Sequence, residues 1–259
     1  VLPYQSITLD IDFKSKLPKA MVRTGYSKDY QFVVQWFPKV GVYEPAGMRF
    51  AEVGQWNCHQ YHRSVEYYAN FGVYNVSVEV PTNYVVGASG QLTNKTTVNG
   101  RTTHSYHVED VIDFAWTASP RFLEKTEEWE GISIRLLYNP EHENLSSRYF
   151  YTVKKTLEYF SRKFEKYPYP NLTIVVTPLN GVMTSSMEYP TLFSVPAIAG
   201  FPEGIRVPET LTAHEFIHQY FMQMVATNEQ EEAWLDEGMT NFYEGKVLDE
   251  IFGEKTSTI

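Results

Sequence analysis

Two histidines four residues apart with an acid between them, His214-Glu215-Phe216-Ile217-His218, are followed after 18 intervening residues by Glu237. No other feature restricts the possible fold of this chain as strongly. On an α-helix, residues i and i+4 project from one face, so both imidazoles can converge on one ion. Glu215 lies about 100° round the helix from His214, near enough to reach a water there without being a ligand. The gap to Glu237 suits a helix, a turn and an antiparallel second helix returning beside the first. The spacing thus predicts one zinc ion per chain on His214, His218 and Glu237, with an open fourth position as in catalytic sites. Zinc lowers the pKa of a bound water towards about 7, and a nearby carboxylate can then take its proton; Glu215 is the candidate base. The bland alternative is a pair of ordinary helix histidines capped by water or carboxylates. Against it stands Glu237, placed between Leu235 and Gly238-Met239 beside Trp234, a setting that suggests a partly buried carboxylate in need of a partner.

The rest of the chain must supply a scaffold, and its bulk properties limit the partners. The 259 residues are 43% hydrophobic, ample for a large core, and the net charge of -9 is the wrong sign for nucleic acid. With Cys58 as its single cysteine, the chain can form no internal disulfide. No stretch approaches the roughly 20 apolar residues of a membrane-spanning helix.

Up to about Tyr138 the pattern is that of short strands. Ser6 to Phe13 alternates, Phe32 to Phe37 is largely apolar and Val73 to Val80 broadly alternates again, with turns expected at Gly87-Ala88-Ser89-Gly90, Thr93-Asn94-Lys95 and Asn99-Gly100. After Pro140 the period changes: Tyr149, Val153, Leu157, Phe160 and Phe164 have helical spacing within Leu145 to Tyr167. Leu172 to Thr177 reads as a strand buried on both faces, Ser186 to Val195 as a second strand, and Glu209 to Val225 as the helix that carries the histidines. The expected class is α+β, with an antiparallel β domain over residues 1–137 and a second domain over 138–259.

The segments His214 to Phe221, Asn228-Glu229 and Trp234-Leu235-Asp236-Glu237-Gly238 resemble the membrane alanyl aminopeptidase family of gluzincin metallopeptidases, in particular its bacterial members. The resemblance implies that residues 138–259 form the first half of a thermolysin-like catalytic domain. Met187-Glu188-Tyr189-Pro190 looks like that family's substrate-strand motif, which implies substrate binding by Met187 and Glu188. The glutamate would hold the free α-amino group of a peptide, a carboxylate–ammonium contact that selects exopeptidase substrates. Ser185 and Ser186 depart from the glycines usual before Met187, and their side chains would narrow the cleft there. Gly41-Val42-Tyr43-Glu44, Trp56-Asn57-Cys58-His59 and Asp113-Phe114-Ala115-Trp116 also look similar to bacterial relatives. Cys58, His59 and His62 lack the spacing of a second metal site.

The family's transition-state tyrosine lies farther downstream than Ile259, so the resemblance predicts a fragment of a longer zinc aminopeptidase, inactive alone. A competing expectation from another class is a non-catalytic interaction module that keeps this scaffold. The presence of all four residues of the zinc constellation argues against it.

Overall fold

The computed structural model describes residues 5–20, 23–48, 51–58, 65–198 and 204–254. Its class is α+β, as expected. Short antiparallel strands dominate the first half: β1 (Gly25–Ser27), β2 (Tyr30–Val33), β3 (Val42–Glu44), β4 (Gln55–Asn57), β5 (Gly72–Pro81), β6 (Val85–Ala88), β7 (Gln91–Val98), β8 (Arg101–Val111) and β9 (Trp116–Ser119). They assemble as a four-stranded sheet in the order β1-β2-β9-β6, a β3-β4 pair and a three-stranded sheet β5-β8-β7. The β7–β8 turn is the one expected at Asn99-Gly100, where both residues have positive φ, 51° and 75°, the conformation a two-residue hairpin requires.

Four local expectations fail in this half, and the first is the strand over Phe32 to Phe37, which ends at Val33 ahead of Gln35 with its φ of 50°. Residues 5–18 form no strand, and Ile7, Leu9, Ile11 and Phe13 are exposed; alternation alone makes no strand without a neighbouring edge and a buried face. Thr93-Asn94-Lys95 is not a turn but lies within β7, where a register shift between Leu92 and Asn94 absorbs the turn-forming residues. Gly87 and Ala88 lie in β6, and the turn begins only at Ser89-Gly90.

The second half is organised by a five-stranded mixed sheet, β10 (Leu123–Trp129), β11 (Ile132–Tyr138), β12 (Asn171–Thr177), β13 (Met187–Tyr189) and β14 (Leu192–Pro196), in the order β10-β11-β12-β14-β13. The β11–β12 and β12–β14 pairs are parallel; β10–β11 and β13–β14 are antiparallel. The sheet therefore takes in chain from Leu123 onward, ahead of residue 138. Ser186 to Val195 is a hairpin rather than one strand, because Pro190-Thr191 turns the chain and Thr191 has φ 54°.

Helices α1 (Ser146–Lys163), α2 (Val207–His218) and α3 (Trp234–Phe252) cover one face of this sheet. Tyr149, Val153, Leu157 and Phe160 of α1 are buried against Ile134, Leu136, Ile174 and Val176. Each such side chain contributes about 1.5–3 kcal/mol by leaving water. The helix stops at Lys163, leaving Phe164 half exposed one residue beyond it. On the opposite face Leu137, Val175, Leu192, Met187 and Tyr189 pack with Tyr30, Phe32, Ala115 and Phe122 of the β half. The central strands are thus buried on both faces, as the apolar run Leu172 to Thr177 predicts. Among the described residues no helix is long and apolar enough to cross a membrane.

Candidate metal centre

Helix α2 has Pro208 in its first turn, where a missing N–H costs nothing. Its apolar stripe, Ala213, Phe216 and Ile217, is buried in the helix–sheet core. This anchorage leaves His214, Glu215 and His218 to face the other elements of the site. Directly after His218 the backbone continues as a π-helical turn, Gln219–Met224, in place of the straight α-helix to Val225 expected from the pattern. A loop through Asn228 and Glu229 then leads into α3, which packs beside α2 and carries Glu237 in its first turn.

The spacing argument places Glu237 next to both rings, and the coordinates agree with it. His214 Nε2 and His218 Nε2 are 3.2 Å apart, and Glu237 Oε2 lies 3.3 Å from the first and 3.8 Å from the second. Tetrahedral coordination with bonds of about 2.0–2.1 Å separates ligand atoms by about 3.3–3.4 Å, so the triangle has the dimensions a zinc-sized ion needs. The other ring nitrogens supply the chemical reason. His214 Nδ1 is 2.9 Å from Glu244 Oε2, and His218 Nδ1 is 2.5 Å from Asp236 Oδ1, with Thr240 Oγ1 at 3.3 Å. Each carboxylate draws the proton to Nδ1, which then donates to it, and both Nε2 lone pairs are left pointing at one another and at a carboxylate oxygen. Three converging acceptors repel unless a proton or a metal cation lies among them.

Electrostatics follow from burial and crowding. Burial opposes a charge on His214, but Glu237 and Glu244 outweigh it and raise its pKa to about 11. His218, fully buried, is lowered by desolvation. Glu237 is lowered, chiefly by its hydrogen bond with His214. Asp236 is pushed up to about 8 by burial and then by Glu237. Glu215 is buried, its Oε2 has no hydrogen-bond partner, and desolvation followed by repulsion from Glu188 raises it well above the usual carboxylate range.

Glu188 sits on β13, the edge strand of the mixed sheet, and its carboxylate lies within 4.8 Å of ligand atoms of His218 and Asp236. It is 3% exposed, its Oε1 is unpartnered, and desolvation raises it to about 8. The side chain of Met187 is buried in the core with Phe32 and Tyr189. Cys58 is exposed, whereas His59 and His62 lie outside the described residues.

Sequence reasoning missed several contributors. Asp236 and Glu244, the two ring-orienting carboxylates, sit with Thr240 at positions of α3 that recur every one to two helical turns, a periodicity that could have revealed them. From the β half, Arg23 grips Glu66 in a bidentate pair, at 2.6 and 2.5 Å, over the Tyr67 ring. Glu66 and Glu229 add to the negative field, and Glu229, buried with neither carboxylate oxygen partnered, is raised to about 10 by desolvation. No short-range pattern links these residues to the histidines.

Residues 149–259 match the peptidase family M1 domain. No curated protein matches the chain. A crystal structure of Legionella pneumophila aminopeptidase A in complex with aspartic acid aligns with 92% of this chain at a TM-score of 0.69 and 14% identity. The aligned region is 28% of that protein's chain, so the present chain spans little more than a quarter of its length, and the likeness establishes a shared fold. The match to the peptidase family M1 domain thus rests on residues 149–259, which hold the histidines and Glu237, while the chain as a whole shares the fold of that aminopeptidase.

Proposed function

We propose that the chain carries the metal-binding part of a zinc aminopeptidase, with His214, His218 and Glu237 as ligands, Glu215 as general base and Glu188 as the anchor for a substrate's free α-amino group. The observation that carries the reading is the convergence of His214 Nε2, His218 Nε2 and Glu237 Oε2 while Glu244 and Asp236 hold the opposite ring nitrogens. Zinc bound there supplies Lewis acidity to a water and to the scissile carbonyl. Glu215 takes the proton of the attacking water; its burial raises its proton affinity, which suits a group that must accept a proton. It then has that proton available for the leaving amine. Glu188 offers a buried, unpartnered oxygen to an ammonium donor, a charge-assisted bond that fixes the distance from the N-terminus to the peptide bond to be cut. β13 is the edge strand of the mixed sheet, the position at which a sheet can be extended by a peptide strand.

Metal analysis of the purified 259-residue chain tests the ligand set: about one zinc per chain, lost in His214→Ala, is expected. Hydrolysis by the full-length protein tests the reaction. Aminoacyl reporters should be cleaved and their N-acetylated counterparts spared, with Glu215→Gln inactive and Glu188→Ala deprived of the preference. Equal cleavage of blocked and free substrates would rule out the amine anchor.

A further inference from the structure

The hairpin that presents Glu188 has an unusual turn. Tyr189-Pro190-Thr191-Leu192 joins β13 to β14 in two residues, with proline at the second position and Thr191 at φ 54° in the third. That third position normally takes glycine or asparagine, because a β-branched side chain at positive φ is strained. Such a conformation persists when its surroundings over-determine it, and here they do. The Thr191 N–H donates to Gln219 Oε1 at 2.9 Å, and the Thr191 carbonyl accepts from the Thr173 N–H at 2.8 Å. Its hydroxyl oxygen accepts from the Gly90 N–H at 2.7 Å. Gln219 also closes the other side of the turn, its Nε2 donating to the Tyr189 carbonyl at 2.9 Å.

Gln219 is therefore bonded to both arms of the hairpin through one amide group. It is fully buried, and it directly follows His218 at the entry to the π-helical turn. Its backbone moves with a metal-ligand candidate, while its side chain holds the residue next to Glu188. The geometry points to Gln219 as a positioning residue that sets the distance between the Glu188 carboxylate and the His214–His218–Glu237 centre, and thereby the length of substrate N-terminus that fits. The Gly90 contact extends the same clamp into the β half, so that the turn, the metal helix and the preceding sheet are held in one frame. This inference rests on Glu188 being the amine anchor.

The test is a double-mutant cycle in the full-length protein. Gln219→Met keeps the side-chain length and removes both polar ends. It should retain about one zinc per chain, raise KM for an aminoacyl reporter about tenfold and change kcat less than about threefold. In a Glu188→Ala background it should add nothing, since a clamp on an absent anchor has no effect on amine binding. Gln219→Glu keeps the acceptor for Thr191 and loses the donor to Tyr189. It should give a smaller KM rise with the same non-additivity, and it carries the test where the methionine variant does not fold. Loss of zinc, an unchanged KM, or effects that add to those of Glu188→Ala would overturn the positioning role. If Glu188→Ala itself leaves the free-amine preference intact, the anchor reading falls and the inference with it. A normal Glu188→Ala effect beside additive Gln219 variants sinks the inference alone.

Discussion

Replacing Asp236 by asparagine changes one charge in the bond that orients His218, and its effect can be ranked against an internal control. The Asp236–His218 pair is completely buried and 2.5 Å long, whereas the equivalent Glu244–His214 pair is 2.9 Å long with its side chains 16% and 17% exposed. Carboxylates behind ligand histidines typically account for 10- to 100-fold in metal affinity. Water can replace much of what Glu244 provides but cannot reach His218, so the two variants should fall near opposite ends of that range. Asp236→Asn is expected to weaken zinc binding about 100-fold, or about 2.7 kcal/mol, and Glu244→Gln about tenfold, or about 1.4 kcal/mol. Competition with a chromophoric chelator at fixed pH measures both. Stability should move the other way: burial and Glu237 push Asp236 up to about 8, so a neutral amide relieves the chelator-treated chain at pH 8 and raises its melting temperature. A larger loss of affinity in Glu244→Gln, or less than about a threefold loss in Asp236→Asn, would refute the claim that buried orientation of His218 governs the site.

The same cluster predicts how the chelator-treated chain responds to pH. Glu188, Asp236 and Glu229, with folded pKa values of about 8, 8 and 10, and His214, at about 11, all bind protons more tightly folded than unfolded. Their folded form therefore loses stability as pH rises, from about 4 for the carboxylates and about 6.5 for His214. His218, lowered by burial, costs stability only as pH falls below about 6.5. The melting temperature should thus be higher at pH 6 than at pH 8.5, a difference that saturating zinc diminishes; a higher value at pH 8.5 without metal would contradict it. At the start of α2, Arg148 holds both oxygens of Glu209 at 2.6 and 2.7 Å, and Glu209 is buried. Arg148→Met leaves that charge unpaired and should cost about 3 kcal/mol in urea unfolding, with zinc stoichiometry unchanged; a loss under about 1 kcal/mol would mean that Arg206, 3.9 Å away, and the helix terminus already suffice.

What could be read in advance divides along the range of the forces involved. His214, Glu215 and His218 share one helix, so their relative placement is fixed by 3.6 residues per turn, and the approach of Glu237 needed only one further helix of ordinary length. The α1 stripe and the doubly buried strand β12 were legible for the same reason. By contrast, Asp236 and Glu244 orient the rings only because α3 packs against α2 at one particular rotation, and Glu66 lies about 150 residues before the histidines in the chain. The local misreadings make the complementary point. Ser6 to Phe13 has the alternation of a strand and no partner to satisfy it; Thr93 to Lys95 has turn-forming residues and a neighbouring strand that straightens them. Pro190-Thr191 lacks the glycine that would announce a turn, and the conformation is imposed by Gln219, Gly90 and Thr173, all distant in sequence. Where tertiary bonds replace intrinsic preference, the residues that supply those bonds become the ones whose loss should be felt at the proposed metal centre, and for that reason a glutamine outside every expected ligand set carries a functional prediction.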